Sequence, residues 1–156
     1  MVTTASWGDV DAALFPEQRL SAAEAVFRDN HGHCILAVIE PLPGFPTPEM
    51  AEAMTIQWAV QIASDRGFDK VIFESDCLSL VKHSLSAERD RSMVGVVISD
   101  IKQMMAGFAS TSIRHVKRSC NEAAHILARS CDLSSQGFIS FSAPVSILKT
   151  LCIDVL

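Results

Sequence analysis

Four prolines and a glycine crowd into the nine residues EPLPGFPTP at 40–48. Neither a strand nor a helix can run through them, because proline lacks a backbone N–H and holds φ fixed. This loop divides two kinds of sequence. Upstream, SWGDVDAAL alternates, with Asp9, Asp11 and Ala13 on one side and Val10, Ala12 and Leu14 on the other, as a strand does. AAEAVFRD and HCILAVIE read as two further strands, joined by the turn Asp29-Asn30-His31-Gly32. The three together predict an antiparallel meander.

Downstream the spacing becomes helical and alternates with short β-type runs. Thr47 caps a helix, Pro48 fills its first position, and Gly67 ends it. KVIFES suits a central strand covered on both faces. Ser75 or Asp76 caps the helix CLSLVKHSL, and SAERDRS is a polar link. MVGVVISDIKQMMAGF reads as a helix with Val97, Ile101, Met104 and Met105 on one side. TSIRHVKR is a last strand, a helix starts at Asn121, and APVSILKTLCIDVL allows a final short helix. The order β-β-β-α-β-α-α-β-α predicts a mixed sheet with helices packed on it.

A chain of 156 residues can bury one substantial core, so a single domain over 1–156 is expected. Its 49% apolar residues exclude a disordered chain. No apolar run reaches the length of a membrane span, and the N-terminus carries no secretory pattern. Five cysteines, odd in number and without a C-x-x-C pair, fit reduced thiols in an intracellular protein of nucleus or cytoplasm. The net charge of −5 weighs against tight nonspecific nucleic-acid binding. It fits a cluster of carboxylates that needs cations.

Three acids stand out. Asp11 lies mid-strand, where aspartate is disfavoured; an edge or solvent-facing position is the plain alternative. Glu52 shares a helix stripe with Thr55, Ile56, Ala59 and Ala63. A carboxylate on such a stripe must be paired, hydrogen-bonded or bound to a metal, unless the helix dipole alone explains it. Asp76 ends a strand and precedes a helix, so it is either an N-cap or a ligand at the carboxyl end of a central strand. HGHC at 31–34 fits turn chemistry better than a metal set. Trp58, Met54, Met104 and Met105 read as core, and Cys77 and Cys120 as small packed residues.

The segments GDVDAAL, AVFRDNHGHCILA, PEMAEAMTIQWAVQIASDRGFDKVIFESDCLSLV and RHVKRSCNEAAHILAR, in that order, resemble the plant ribonuclease H-like domains. These occur as the tail of retrotransposon reverse transcriptase proteins and as stand-alone genes. The resemblance spans almost the whole chain. It implies a ribonuclease H-like α/β fold: a five-stranded mixed sheet in the order 3-2-1-4-5, flanked by helices. It also implies divalent-metal-dependent hydrolysis of the RNA strand of RNA–DNA hybrids. By resemblance, Asp11, Glu52 and Asp76 are the catalytic and metal-binding acids, for magnesium or manganese. His125 falls where a fourth carboxylate is usual, although this family often has histidine there. Asn121 matches an asparagine that contacts nucleic acid, and Arg114, Lys117 and Arg118 are the candidate phosphate contacts. Ala12 and Glu24 stand where glycines are expected, and no lysine-rich helical protrusion is evident.

Two cations roughly 3.5–4 Å apart can activate a water and stabilise the leaving 3′ oxygen, which is why such chemistry gathers hard carboxylate ligands. Imidazole is a poorer magnesium ligand. His125 is thus a weakened ligand, a proton shuttle or a surface residue. Two functions stay open: a metal-dependent nuclease acting on RNA–DNA hybrids or other nucleic acid, and a noncatalytic module that binds a protein partner. The oligomeric state is not legible.

Overall fold

The computed structural model describes residues 5–121. The helix expected from Asn121 onward, His125 within it and the final short helix lie outside the described residues. Strands β1 (Trp7–Phe15), β2 (Leu20–Arg28) and β3 (Cys34–Pro41) come first. They are followed by α1 (Pro48–Asp65), β4 (Lys70–Ser75), α2 (Leu78–Leu85), α3 (Met93–Met105) and β5 (Ser110–His115), then a 3-10 turn over Arg118–Asn121. The sheet runs β3-β2-β1-β4-β5. The first three strands are antiparallel and the β1–β4 and β4–β5 pairs are parallel. Both the meander and the mixed sheet therefore form as the sequence predicts.

Local chemistry explains the boundaries. The Asp29 carboxylate accepts the N–H groups of His31 and His33, each at 2.9 Å, and Gly32 adopts φ +83°. HGHC is thus turn chemistry in the described structure. Thr47 Oγ1 accepts the Met50 N–H at 3.3 Å, and Gly67 at φ +74° ends the first helical segment. The expected cap of α2 moves by a residue. Cys77, not Ser75 or Asp76, occupies the N-cap, and it makes no side-chain capping bond. Ser75 Oγ instead accepts the Cys77 N–H at 3.1 Å.

The core lies between the sheet and the helical layer. Ala51, Ala53, Ile56, Ala59, Val60 and Ala63 are buried on α1, and these small residues let the helix settle close to the strands. Gly8 makes similar room, because a Cβ there would stand 3.2 Å from the rings of Phe27 and Phe73. Trp58, Met104 and Met105 pack against this core as expected, whereas Met54 lines a surface groove and Cys120 is exposed. Trp58 Nε1 donates to Glu40 Oε2, tying α1 to β3.

β1 is the pivot. It pairs with β2 along its whole length but with β4 only from Trp7 to Asp9. Their pairing stops at Asp9, at the carboxyl ends of the two parallel strands, where the sheet switches from antiparallel to parallel. Open α/β sheets hold ligands at such points.

Candidate active site

Three elements deliver the acids to this switch point. Asp11 leaves β1 two residues past the last β1–β4 pair, and Asp76 follows the last residue of β4. Glu52 projects from the second turn of α1. Each offers a carboxylate oxygen, and these oxygens lie within 4.8 Å of one another. The edge or solvent-facing alternative for Asp11 is overturned, because β1 is the middle strand and Asp11 is buried. The cap alternative for Asp76 is overturned as well, because Cys77 holds that position.

Their proximity has an electrostatic cost. Burial, then the charges of Asp11 and Asp76, push the Glu52 carboxyl from its ordinary 4.5 up to about 9. The Ala12 N–H opposes that rise weakly, reaching Glu52 Oε1 at 3.4 Å while also lying 3.0 Å from Asp11 Oδ1. Glu52 Oε2 is buried and has no hydrogen-bond donor among the described residues. Crowded hard oxygens, one of them orphaned, suit a divalent cation, which would supply the missing positive charge. Ala12, where the resemblance leads one to expect glycine, contributes through its backbone N–H. Arg19 is the only non-glycine residue with positive φ among those described, so Ala12 takes a conformation open to alanine.

The remaining candidates lie close in the chain. The Val116 N–H donates to Ser75 O at 3.0 Å, so the segment after β5 runs beside the end of β4. Lys117 and Arg118 are exposed there. Arg114, also exposed, sits with its guanidinium 5.8 Å over the Trp7 ring. Asn121 is buried, and its Nδ2 donates to the Val10 carbonyl at 2.7 Å. That carbonyl lies past the last β1–β4 pair, so Asn121 fastens the 3-10 turn to β1 one residue before Asp11.

Two features escaped the sequence reading. Asp9 is buried and paired with Arg28, Oδ2 to Nε at 2.9 Å and Oδ1 to Nη2 at 3.1 Å. Burial still holds its carboxyl up at about 6, against the pull of Arg28 and with a push from Glu74. The Asn121 link joins residues far apart in the chain, so no local spacing announces it.

Residues 9–131 match the family model described as reverse transcriptase-like. The chain belongs to the reverse transcriptase-like family. No curated protein sequence matches it. Among solved structures, this reverse transcriptase-like domain is similar to the ribonuclease H1 of the halophilic archaeon Halobacterium salinarum NRC-1. That match has 23% identity and a TM-score of 0.70, and it covers 78% of this chain and 92% of that one. A ribonuclease H1 isolated from compost, solved in complex with an RNA/DNA hybrid, matches at 15% identity and TM-score 0.67, covering 78% and 91%. The foamy virus protease–reverse transcriptase aligns with 99% of this chain over 21% of its own length, at 12% identity and TM-score 0.55. These likenesses establish a ribonuclease H-like fold for the domain.

Proposed function

We propose that this domain is a divalent-cation-dependent nuclease of ribonuclease H type that cuts the RNA strand of RNA–DNA hybrids. The observation that carries the reading is the meeting of Asp11, Glu52 and Asp76, from three separate elements, at the switch point of the sheet. These three residues would hold magnesium or manganese. When bound, a divalent pair supplies the activation of water and the stabilisation of the leaving oxygen. The chain itself contributes the rest. Asp11 and Asp76 are fixed by strand ends, and Glu52 by a helix packed on the core. The Ala12 N–H orients two of the three carboxylates, and the Asn121 link holds the 3-10 turn against β1. Arg114, Lys117 and Arg118 would take the phosphates. His125 would serve as a weak ligand or a proton carrier. The solved ribonuclease H1 complex with an RNA/DNA hybrid supports this choice of substrate.

The same reading takes residues 1–156 as one domain of plant, retrotransposon-derived type, working inside the cell in nucleus or cytoplasm. Among the described residues no helix is long and apolar enough to cross a membrane. The test is a labelled hybrid incubated with magnesium or manganese. Cleavage is expected, and Asp76→Asn should reduce it at least a hundredfold, as loss of a charge-stabilising group commonly does. No cleavage, or cleavage indifferent to that substitution, would sink the proposal.

One observation favours the second reading, a noncatalytic module with a protein partner. A groove of about 950 Å³ runs between the proline-rich loop, α1 and α3, with Phe45, Met93 and Val96 exposed along it. An intact triad with no turnover on any hybrid would favour this alternative.

A further inference from the structure

The turn between β2 and β3 uses the backbone of its two histidines and leaves their imidazoles without a task. The Asp29 N–H donates to the His33 carbonyl at 2.9 Å, and the Gly32 N–H donates to the Asp29 carbonyl at 3.0 Å. Asp29 Oδ1 accepts the N–H groups of His31 and His33, so it is fully occupied by the turn. The second oxygen, Oδ2, lies 3.4 Å from His33 Nδ1. Partial desolvation pulls the Asp29 carboxyl up. The N–H groups of His33 and His31, with the His33 ring, outweigh it and hold the group below its ordinary 3.8. Asp29 is therefore a fixed anion beside one imidazole.

Both histidines are exposed, and their ring centres stand 6.1 Å apart with planes at 44°. Two imidazoles that share one zinc ion have ring centres at most about 6.4 Å apart, and about 5.2 Å apart at the tetrahedral angle, given a Zn–N distance near 2.0–2.1 Å. The rings need to close by only about 1 Å, with no change in the backbone. A histidine that binds a metal commonly gives its other ring N–H to a carboxylate, which fixes the tautomer and the ring. Asp29 Oδ2 is placed to do this at His33 Nδ1, leaving Nε2 for an ion.

We propose that His31 and His33 form a surface site for one zinc-class divalent ion, with Asp29 orienting His33 and water completing the shell. Imidazole suits zinc, nickel and copper, whereas magnesium takes hard oxygens. The site is separate from the triad. β2 pairs Arg28 with Trp7, so this turn lies off the starting end of β1, while the acids gather where the β1–β4 pairing stops. The inference does not rest on the nuclease reading.

The test is calorimetric titration of zinc into the full chain in excess magnesium, beside nitrogen-15 spectra of the histidine rings and a metal-free melt of each variant. One ion is expected to shift the rings of His31 and His33. His31→Gln and His33→Gln should each weaken it at least tenfold, and so should Asp29→Asn, which keeps an oxygen acceptor for the turn. All three should melt like the native chain. Asp76→Asn should leave this binding within about twofold, because it alters the other site. Unchanged zinc binding in both histidine variants would put the ion elsewhere and overturn the site. So would the lack of any ring shift, or a dissociation constant weaker than about 1 mM. Native affinity in Asp29→Asn, or a loss that only tracks a lower melting temperature, would overturn the orienting role given to Asp29.

Discussion

A carboxyl pushed to about 9 is protonated at neutral pH, so Glu52 must give up a proton to any cation that enters. Its folded-state value is raised. Its contribution to stability is therefore fully present below 4.5 and is lost as pH rises through about 9. Cation binding runs the other way and strengthens with pH. Near pH 7.5, manganese binding is expected to release close to one proton, read from calorimetry in buffers of different ionisation enthalpy, and apparent affinity should climb up to tenfold per pH unit. Glu52→Gln should release none and should melt higher than the native chain without cation, by about 1–2 kcal/mol, because it relieves the crowding. Binding without proton uptake or release at this pH would contradict the shift. Asp9 follows the same sign over a lower window, from 3.8 to about 6. Arg28→Met leaves a buried acid without its partner and should cost about 3–5 kcal/mol above pH 7, where Asp9 must ionise. Below pH 5 the loss should shrink, since the neutral acid needs no guanidinium. Denaturant melts at the two pH values decide this, and an equal loss at both would count against it.

At the scale of elements, helix and strand types were legible because period and punctuation agreed: alternation before the proline loop, helical spacing after it, and Thr47, Pro48 and Gly67 framing α1. The error over α2 has a definite cause. Ser75, Asp76 and Cys77 are consecutive, and sequence preference favours the first two as caps. Which of them holds the position depends on where β4 stops pairing with β5, a long-range matter. The consequence is testable. A cap position filled by a thiol with no capping bond leaves the first turn of α2 short of an acceptor. Cys77→Ser is expected to add about 0.5–1 kcal/mol. A melting temperature about 2–4 °C higher would record this. A lower one would mean that the partial packing of Cys77 against the core outweighs its capping defect.

For the whole molecule, the order of the sheet brings together what the sequence leaves scattered. Asp11 and Asp76 could each be explained locally, as an exposed strand residue and as a cap. Only the placement of β4 beside β1 makes them neighbours, and no local period reveals which strands will pair. The same holds for Glu24, whose burial depends on β2 lying inside the sheet, and for the Asn121 tie to Val10. Charge is a whole-molecule property too, and it limits how the domain would hold a hybrid. The chain carries −5 overall, and the basic side chains proposed to meet phosphates are few: Arg114, Lys117 and Arg118. With three phosphate contacts, log affinity should fall against log salt with a slope of about −2.7, a loss of roughly fortyfold between 50 and 200 mM. Lys117→Ala should weaken binding across sequences and make the slope shallower by about 1. Arg114→Ala should do the same, and it also loses the Trp7 stacking that holds the guanidinium in place. Fluorescence anisotropy with a labelled hybrid, run with calcium to permit binding while limiting cleavage, gives the slopes. A steep native slope unchanged in both variants would place the phosphate contacts elsewhere on the domain.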